Sequence, residues 1–296
     1  MELFDARTAN LGSFEVRRIL PQRHGSLRTV GAWCFADHMG PALVTEEHGI
    51  DVAPHPHMGL QTATWLLDGQ ILHKDSLGSE QVIAPGQLNL MTAGRGISHS
   101  EEATGHYAGT LEGIQLWIAQ PDATRDGDQD FAHHADLPVV DLDGGAATVI
   151  TGEFLGRTSP ARRDTDLVGL ELDLQRQTTL PLRPDYEYAL IVLRGRAGAD
   201  GESLTPGHLG YLAPGRDELG ISVDELSRAI LLGGVPFDSP VQMAWNFVGR
   251  TREEMDEATE IWNDPERRAE RFGHVSSALP PTPAPPTPWN RWPTGA

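Results

Sequence analysis

Residues 62–75 read TATWLLDGQILHKD, two β-prone runs on either side of Asp68-Gly69. Asp-Gly suits a tight type I′ turn, in which both central residues need positive φ. The stretch therefore predicts a two-strand hairpin. Working outward, Ser76-Leu77-Gly78-Ser79 reads as a second turn, VIAPGQLNLMT (82–92) as strand, AGRG (93–96) as a glycine turn and ISHSEE (97–102) as strand again. LEGIQLWIAQ (111–120) alternates. Leu111, Gly113, Gln115, Trp117 and Ala119 fall on one face, and Ile114, Leu116 and Ile118 on the other. Short strands at regular spacing with turn signals between them argue a sandwich or barrel.

The 296 residues suit one large domain or two of ordinary size, and 32 Gly with 22 Pro favour turn-rich β structure over helix bundles. Forty-two acidic residues against 23 basic give a net charge of −19. A nucleic-acid backbone would be repelled on average, and the basic pairs Arg17-Arg18 and Arg267-Arg268 are short, so direct nucleic-acid binding is not expected. The single cysteine, Cys34, excludes an intramolecular disulfide and reads as a small buried hydrophobe. No secretory leader is recognised at the N-terminus and no apolar run reaches membrane-spanning length, so the expectation is a cytoplasmic protein with no membrane contact.

Residues 121–147 are polar and acidic and read as a connector; residues 148–237 then return to short apolar runs. VIAPGQLNLMTAGRG (82–96) is echoed by SLTPGHLGYLAPGRD (203–217), each with Pro-Gly, an apolar run and Gly-Arg. Two β units of one ancestry would produce that echo. Thr251-Arg-Glu-Glu254 predicts a helix start by a capping box. Met255, Ala258, Ile261 and Trp262 supply its apolar stripe, Asp264-Pro265 restarts a turn of helix, and Gly273 ends it. The tail from residue 276 is proline-rich and reads as extended or disordered.

The chemistry concentrates in PHPHMGLQT (54–62). His55 and His57 are two apart, as are His99 and Glu101 in HSE. In a strand, i and i+2 share a face. Two such pairs in one small barrel could converge as three imidazoles and a carboxylate, a nitrogen and oxygen donor set that suits Fe(II), Mn, Ni, Cu or Zn and leaves positions open. Pro56 is tolerated at a strand start or edge, where it fixes φ between the two histidines. Spacing alone admits equally a pair of solvated histidines at a strand end.

The chain resembles the pirin family of the cupin superfamily. The resemblance rests on VGAWCFADHMGP (30–41), HPHMGLQTATWLLDGQILHKDSLG (55–78), IAPGQLNLMTAGRGISHSE (83–101), LEGIQLWI (111–118) and GGVPFDSPVQMAWNFVGRTREEMDEA (233–258), and covers about residues 10–275. It implies an all-β chain of two cupin (jelly-roll) β-barrels in tandem with short C-terminal helices. The expected division is a metal-binding cupin over 1–122, a connector over 123–147, a metal-free cupin with the helices over 148–275, and the tail over 276–296. It implies one divalent metal, with Fe first and Mn, Ni, Cu or Zn as alternatives, on His55, His57, His99 and Glu101. The family commonly has Glu where this chain has Gln61, which is expected to remove a charge near the site. Tyr186-Glu187-Tyr188 stands where a metal cupin would carry ligands, and His208 is isolated.

Some members of the family resemble quercetin 2,3-dioxygenase in activity. That implies a flavonol or similar enol chelated by the metal and opened with O2, with Glu101 as ligand and general base, and with Phe35, Met39 and Trp117, or equally Leu88 and Leu116, as pocket walls. The same resemblance also admits a redox-sensing regulator that binds a protein partner through a non-catalytic metal, and an enzyme for a different small enol or phenol. His38 and the pair His73 and Asp75 are expected to be hydrogen-bonded or at the surface, and His133-His134 to be solvent-exposed.

Overall fold

The computed structural model describes residues 1–11, 14–22 and 27–290. The first half contains β1 (Glu2–Asp5), β2 (Arg7–Leu11), β3 (Phe14–Leu20), β4 (Trp33–Val44), β5 (Val52–His57), β6 (Leu60–Asp68), β7 (Ile71–Asp75), β8 (Glu80–Ile83), β9 (Leu88–Thr92), β10 (Ile97–Glu102), β11 (Gly109–Ala119) and β12 (Asp130–His134). The second continues with β13 (Val139–Leu142), β14 (Gly145–Thr151), β15 (Glu153–Phe154), β16 (Arg157–Thr158), β17 (Leu167–Leu174), β18 (Thr178–Pro181), β19 (Glu187–Arg194) and β20 (Ala197–Ala199). After β21 (Glu202–Leu204), β22 (His208–Leu212), β23 (Glu218–Val223), β24 (Ser227–Gly234), β25 (Gln242–Ala244) and β26 (Phe247–Gly249) come helices α1 (Arg252–Asn263) and α2 (Pro265–Arg271).

The sheets repeat one order. Seven strands run β12-β9-β6-β11-β4-β3-β2, with four, β5-β10-β7-β8, opposite; the second unit has β1-β22-β19-β24-β17-β14-β13 and β18-β23-β20-β21. Matched position by position, the Pro-Gly turns of the sequence echo are equivalent: Pro85-Gly86 joins β8 to β9, and Pro206-Gly207 joins β21 to β22. One edge is exchanged between the units. The first sheet takes β12 from the acidic connector, whereas the second takes β1 from the start of the chain.

Asp68-Gly69 does not close the expected hairpin. β6 pairs with β9 and β11, and β7 pairs with β8 and β10. At Gly69 (φ 93) the chain passes from one sheet to the sheet opposite. Leu66 and Ile71 both bury in the layer between those sheets, and a two-strand hairpin in a single sheet could not serve that layer from both sides. The sheets are not closed into barrels either. Among the described residues no pairing links a seven-stranded sheet to its four-stranded partner, and each unit is a two-layer sandwich.

Both faces of the first seven-stranded sheet are covered. Met39, Leu66 and Leu111 pack on Ile71 and Ile83 within the unit. The opposite face, with Trp33, Trp65, Ile114, Leu116 and Ile118, meets Ile191, Ile230 and Leu232 of the second sheet. The alternation in 111–120 therefore separates two buried faces. Trp33 is fully buried, donates Nε1–H to Gly233 O at 3.2 Å, and lies against Gly169, where a Cβ would come within 3.0 Å of the indole.

The C-terminal elements follow the expected signals. Thr251 Oγ1 accepts from Glu254 N at 3.2 Å, but the reciprocal half of the capping box is displaced by one residue, Glu254 Oε2 accepting from Arg250 N at 2.9 Å; Met255, Ala258, Ile261 and Trp262 are the buried residues of α1. Asp264 caps α2, accepting from Glu266 N and Arg267 N. Residues 276–290 run without helix or strand and lie against α1: Trp262 Nε1–H donates to Thr282 O, and Trp289 Nε1–H donates to Asp256. Thr282 N also donates to Pro54 O on β5 at 2.9 Å. Residues 291–296, the end of the proline-rich tail, lie outside the described residues. No described helix is long and apolar enough to cross a membrane.

Candidate metal centre

β5 is the outer strand of the four-stranded sheet, which is where Pro56 can sit without removing a ladder hydrogen bond. It pairs antiparallel with β10 so that His99 lies opposite His55 and Ile97 opposite His57. The period of two then places His55, His57 and His99 on the inward face. Their ligating atoms lie within 4.8 Å of one another, and all three are buried. Glu101 lines the same pocket but stands outside that three-histidine cluster.

Hydrogen bonds fix which ring nitrogens face inward. His55 Nδ1 donates to Ala53 O at 2.9 Å, and His57 Nδ1 donates to Asn246 O at 3.2 Å. Each therefore keeps a lone pair on Nε2. His57 Nε2 and His99 Nε2 stand 3.0 Å apart. At that distance the two nitrogens either share a hydrogen carried by His99 Nε2 or face each other as lone pairs that a cation would bridge. Protons do not fill the role readily. Burial pushes His55 down to about 4, and burial first, then neighbouring histidines, holds His57 and His99 well below the ordinary value. Neutral imidazoles that converge in a buried site fit a divalent metal.

Asn246 reaches the site from the hairpin β25–β26, far along the chain. Met58 bridges to Phe247, and Val248 N donates to Met58 O at 3.0 Å. Gly59 (φ 70) permits that approach, since a Cβ there would meet Val248 O at 2.2 Å. The same turn carries Trp245 at φ 52 into the pocket wall.

The pocket above the cluster measures ≈ 480 Å³. Phe35 and Trp117 form a stacked pair on its wall, with centroids 3.9 Å apart. Arg18 lies over Phe35 and makes two hydrogen bonds to Asp37, at 2.8 and 2.7 Å. Burial raises the Glu101 carboxyl above its ordinary value, with His73 and Thr64 opposing the shift. Thr64 Oγ1 donates to Gln115 Oε1 at 3.0 Å beside it.

Several expectations are corrected. Met39 belongs to the core of the first unit, and Leu88 and Leu116 face the second unit, so none of the three lines the pocket. Gln61 lies on the far face of β6, where it donates Nε2–H to Thr92 Oγ1 at 2.9 Å, so no charge is lost beside the histidines. His133 and His134 are half-buried, and His133 donates to Asn89 Oδ1 at 2.7 Å. Tyr186 and Tyr188 line a pocket of ≈ 310 Å³ in the second unit. Glu187 turns away from it and accepts from Gly31 N and Tyr211 Oη–H. His38 and His73 are hydrogen-bonded as expected, to Glu112 and Asp75. Sequence reading missed Asn246 and Trp245 as parts of the site; QMAWNFVG carries no local signal that would join them to HPH.

Comparison with known proteins gives a consistent picture. The family model described as Pirin matches residues 13–118, and that of the Pirin C-terminal cupin domain matches 167–268. A Pseudomonas aeruginosa protein provisionally named quercetin 2,3-dioxygenase is 43% identical, over 96% of this chain and 90% of its own length. A pirin-like protein of Caulobacter vibrioides is 38% identical, over 88% and 92%. The crystal structure of a quercetin 2,3-dioxygenase from Acinetobacter baumannii superposes with a TM-score of 0.91 at 43% identity, over 97% of this chain and 95% of that one.

Proposed function

The chain belongs to the pirin family of the cupin superfamily, with two cupin domains in tandem, and from that membership and the histidine cluster we propose a mononuclear-metal dioxygenase of quercetin 2,3-dioxygenase type. The observation that carries the reading is the convergence of three neutral imidazoles at the floor of an aromatic-walled pocket. The substrate is a flavonol or a similar small aromatic enol, used with O2. Iron(II) is the proposed metal, on His55, His57, His99 and Glu101. A divalent metal there supplies Lewis acidity that lowers the pKa of a chelated hydroxyl.

The chain's own residues do the rest. Phe35, Trp117 and Trp245 orient a flat ring against the pocket wall and exclude water from it. Glu101, a carboxylate in the same pocket as the three histidines, accepts the substrate hydroxyl proton. The second cupin is read as a jelly-roll copy without metal, with the division at 123–147. Its sheet covers the back of the catalytic one.

Flavonol-dependent O2 uptake by iron-loaded protein tests this. The reading predicts uptake with ring opening by the wild type and none by His57→Ala. A fully metal-loaded wild type that consumes no O2 with any flavonol or related enol would contradict it.

A further inference from the structure

His99 differs from the other two clustered histidines in what holds it. His55 and His57 are oriented by backbone carbonyls, Ala53 O and Asn246 O. The outward nitrogen of His99, Nδ1, instead meets another imidazole, Nδ1 of His73, at 3.3 Å. His73 in turn places Nε2 3.1 Å from Asp75 Oδ2. Both residues come from β7, where Asp75 lies opposite His99 and His73 opposite Glu101 in the ladder with β10. The i, i+2 spacing that brings His55 and His57 inward does the same for this pair.

The direction of each hydrogen bond follows from the far end. An ionised carboxylate only accepts. Asp75 Oδ1 is already fixed, accepting from Leu77 N at 2.9 Å and Ser79 N at 3.0 Å. Oδ2 is left for His73, whose Nε2 must therefore carry the hydrogen. In the tautomer that spends the single N–H of a neutral His73 on Asp75, Nδ1 is a lone pair. It accepts from His99 Nδ1–H, and His99 is left with its lone pair on Nε2, directed at His57 Nε2. His73 has little freedom to do otherwise. It is buried and stacks on Phe131 of β12, with centroids 4.4 Å and planes 14° apart.

We propose that Asp75 and His73 are a positioning pair that fixes His99 as the Nδ1–H tautomer and so presents its Nε2 to a divalent cation. The proposal rests on the metal reading of His55, His57 and His99. It adds that one of the three histidine ligands is set by side chains, and is therefore open to change without altering the backbone.

Asp75→Asn tests it with little change of shape. The carbonyl oxygen of the substituted side chain can still accept from the turn, but its amide nitrogen now donates toward His73 Nε2. That reverses His73, which then directs Nδ1–H at His99 and pushes the His99 hydrogen onto Nε2, where the cation would bind. His73→Gln is the conservative control, since its carbonyl accepts from His99 and its amide donates to Asp75. The probe is Co(II), titrated against a competing chelator into metal-stripped full-length protein, with the visible ligand-field spectrum recorded. The expected result is Asp75→Asn binding roughly 10–100-fold more weakly with a shifted spectrum, and His73→Gln close to wild type. Asp75→Asn with wild-type affinity and spectrum overturns the pair's role. A wild type that binds no Co(II) overturns the metal reading itself, and this inference with it.

Discussion

Cys34 shows how one position can be read and tested. GAWCFAD marked it as a buried small residue, and it is fully buried, its Sγ 3.7 Å from Trp117 O. Burial pushes the thiol up to about 12. In the unfolded chain a cysteine ionises near pH 9, so between about 9 and 12 the unfolded state loses a proton that the folded state keeps. Stability is full below pH 9 and falls as pH rises toward 12, by on the order of 4 kcal/mol. Urea unfolding across that range should show the decline, and Cys34→Ala should make it shallower, with the raised Tyr186, Tyr188 and Tyr211 hydroxyls still contributing; an unchanged slope in the variant would contradict the assignment. Glu101→Gln probes the proposed base. It should lower kcat by roughly 10²–10⁴ while flavonol binding persists, and a near-normal kcat would remove Glu101 from proton transfer. The histidine spacings were legible because a period of two is local. The Asn246 carbonyl, 189 residues from His57, was not.

The hairpin β25–β26 is the element that sequence reading understood least. It does two things at adjacent residues: Asn246 O orients His57, and Trp245 walls the pocket. Trp245 does so at φ 52, a conformation costing a non-glycine residue on the order of 1–3 kcal/mol. Trp245→Gly removes that strain along with the indole's packing on Phe247 and Trp262. The two changes oppose each other, so the thermal midpoint should move little, while KM for a flavonol should rise roughly 10-fold through loss of ring contact. An unchanged KM would show that Trp245 is only structural. Strands elsewhere were legible from alternation and turn residues. Their partners were not, as 62–75 demonstrates. Turn propensity at Asp68-Gly69 is local, whereas burial of Leu66 and Ile71 between two sheets decides which strands pair.

For the whole molecule, the two seven-stranded sheets share one core, so neither unit has a solvent-ready back face. The Pro-Gly echo disclosed the repeat; the exchange of β1 and β12 stayed hidden because edge strands carry little pattern. Trp33→Ala at the centre of the shared core should destabilise the folded chain by about 3–5 kcal/mol, read by denaturant midpoint. Loss under about 1 kcal/mol would mean the units are only loosely docked. The most direct test of the account is anaerobic titration of metal-stripped protein with Fe(II), wild type beside His57→Ala. It predicts one tight equivalent in the wild type and none in the variant. Equal tight binding by both proteins would contradict the metal centre on which the function rests.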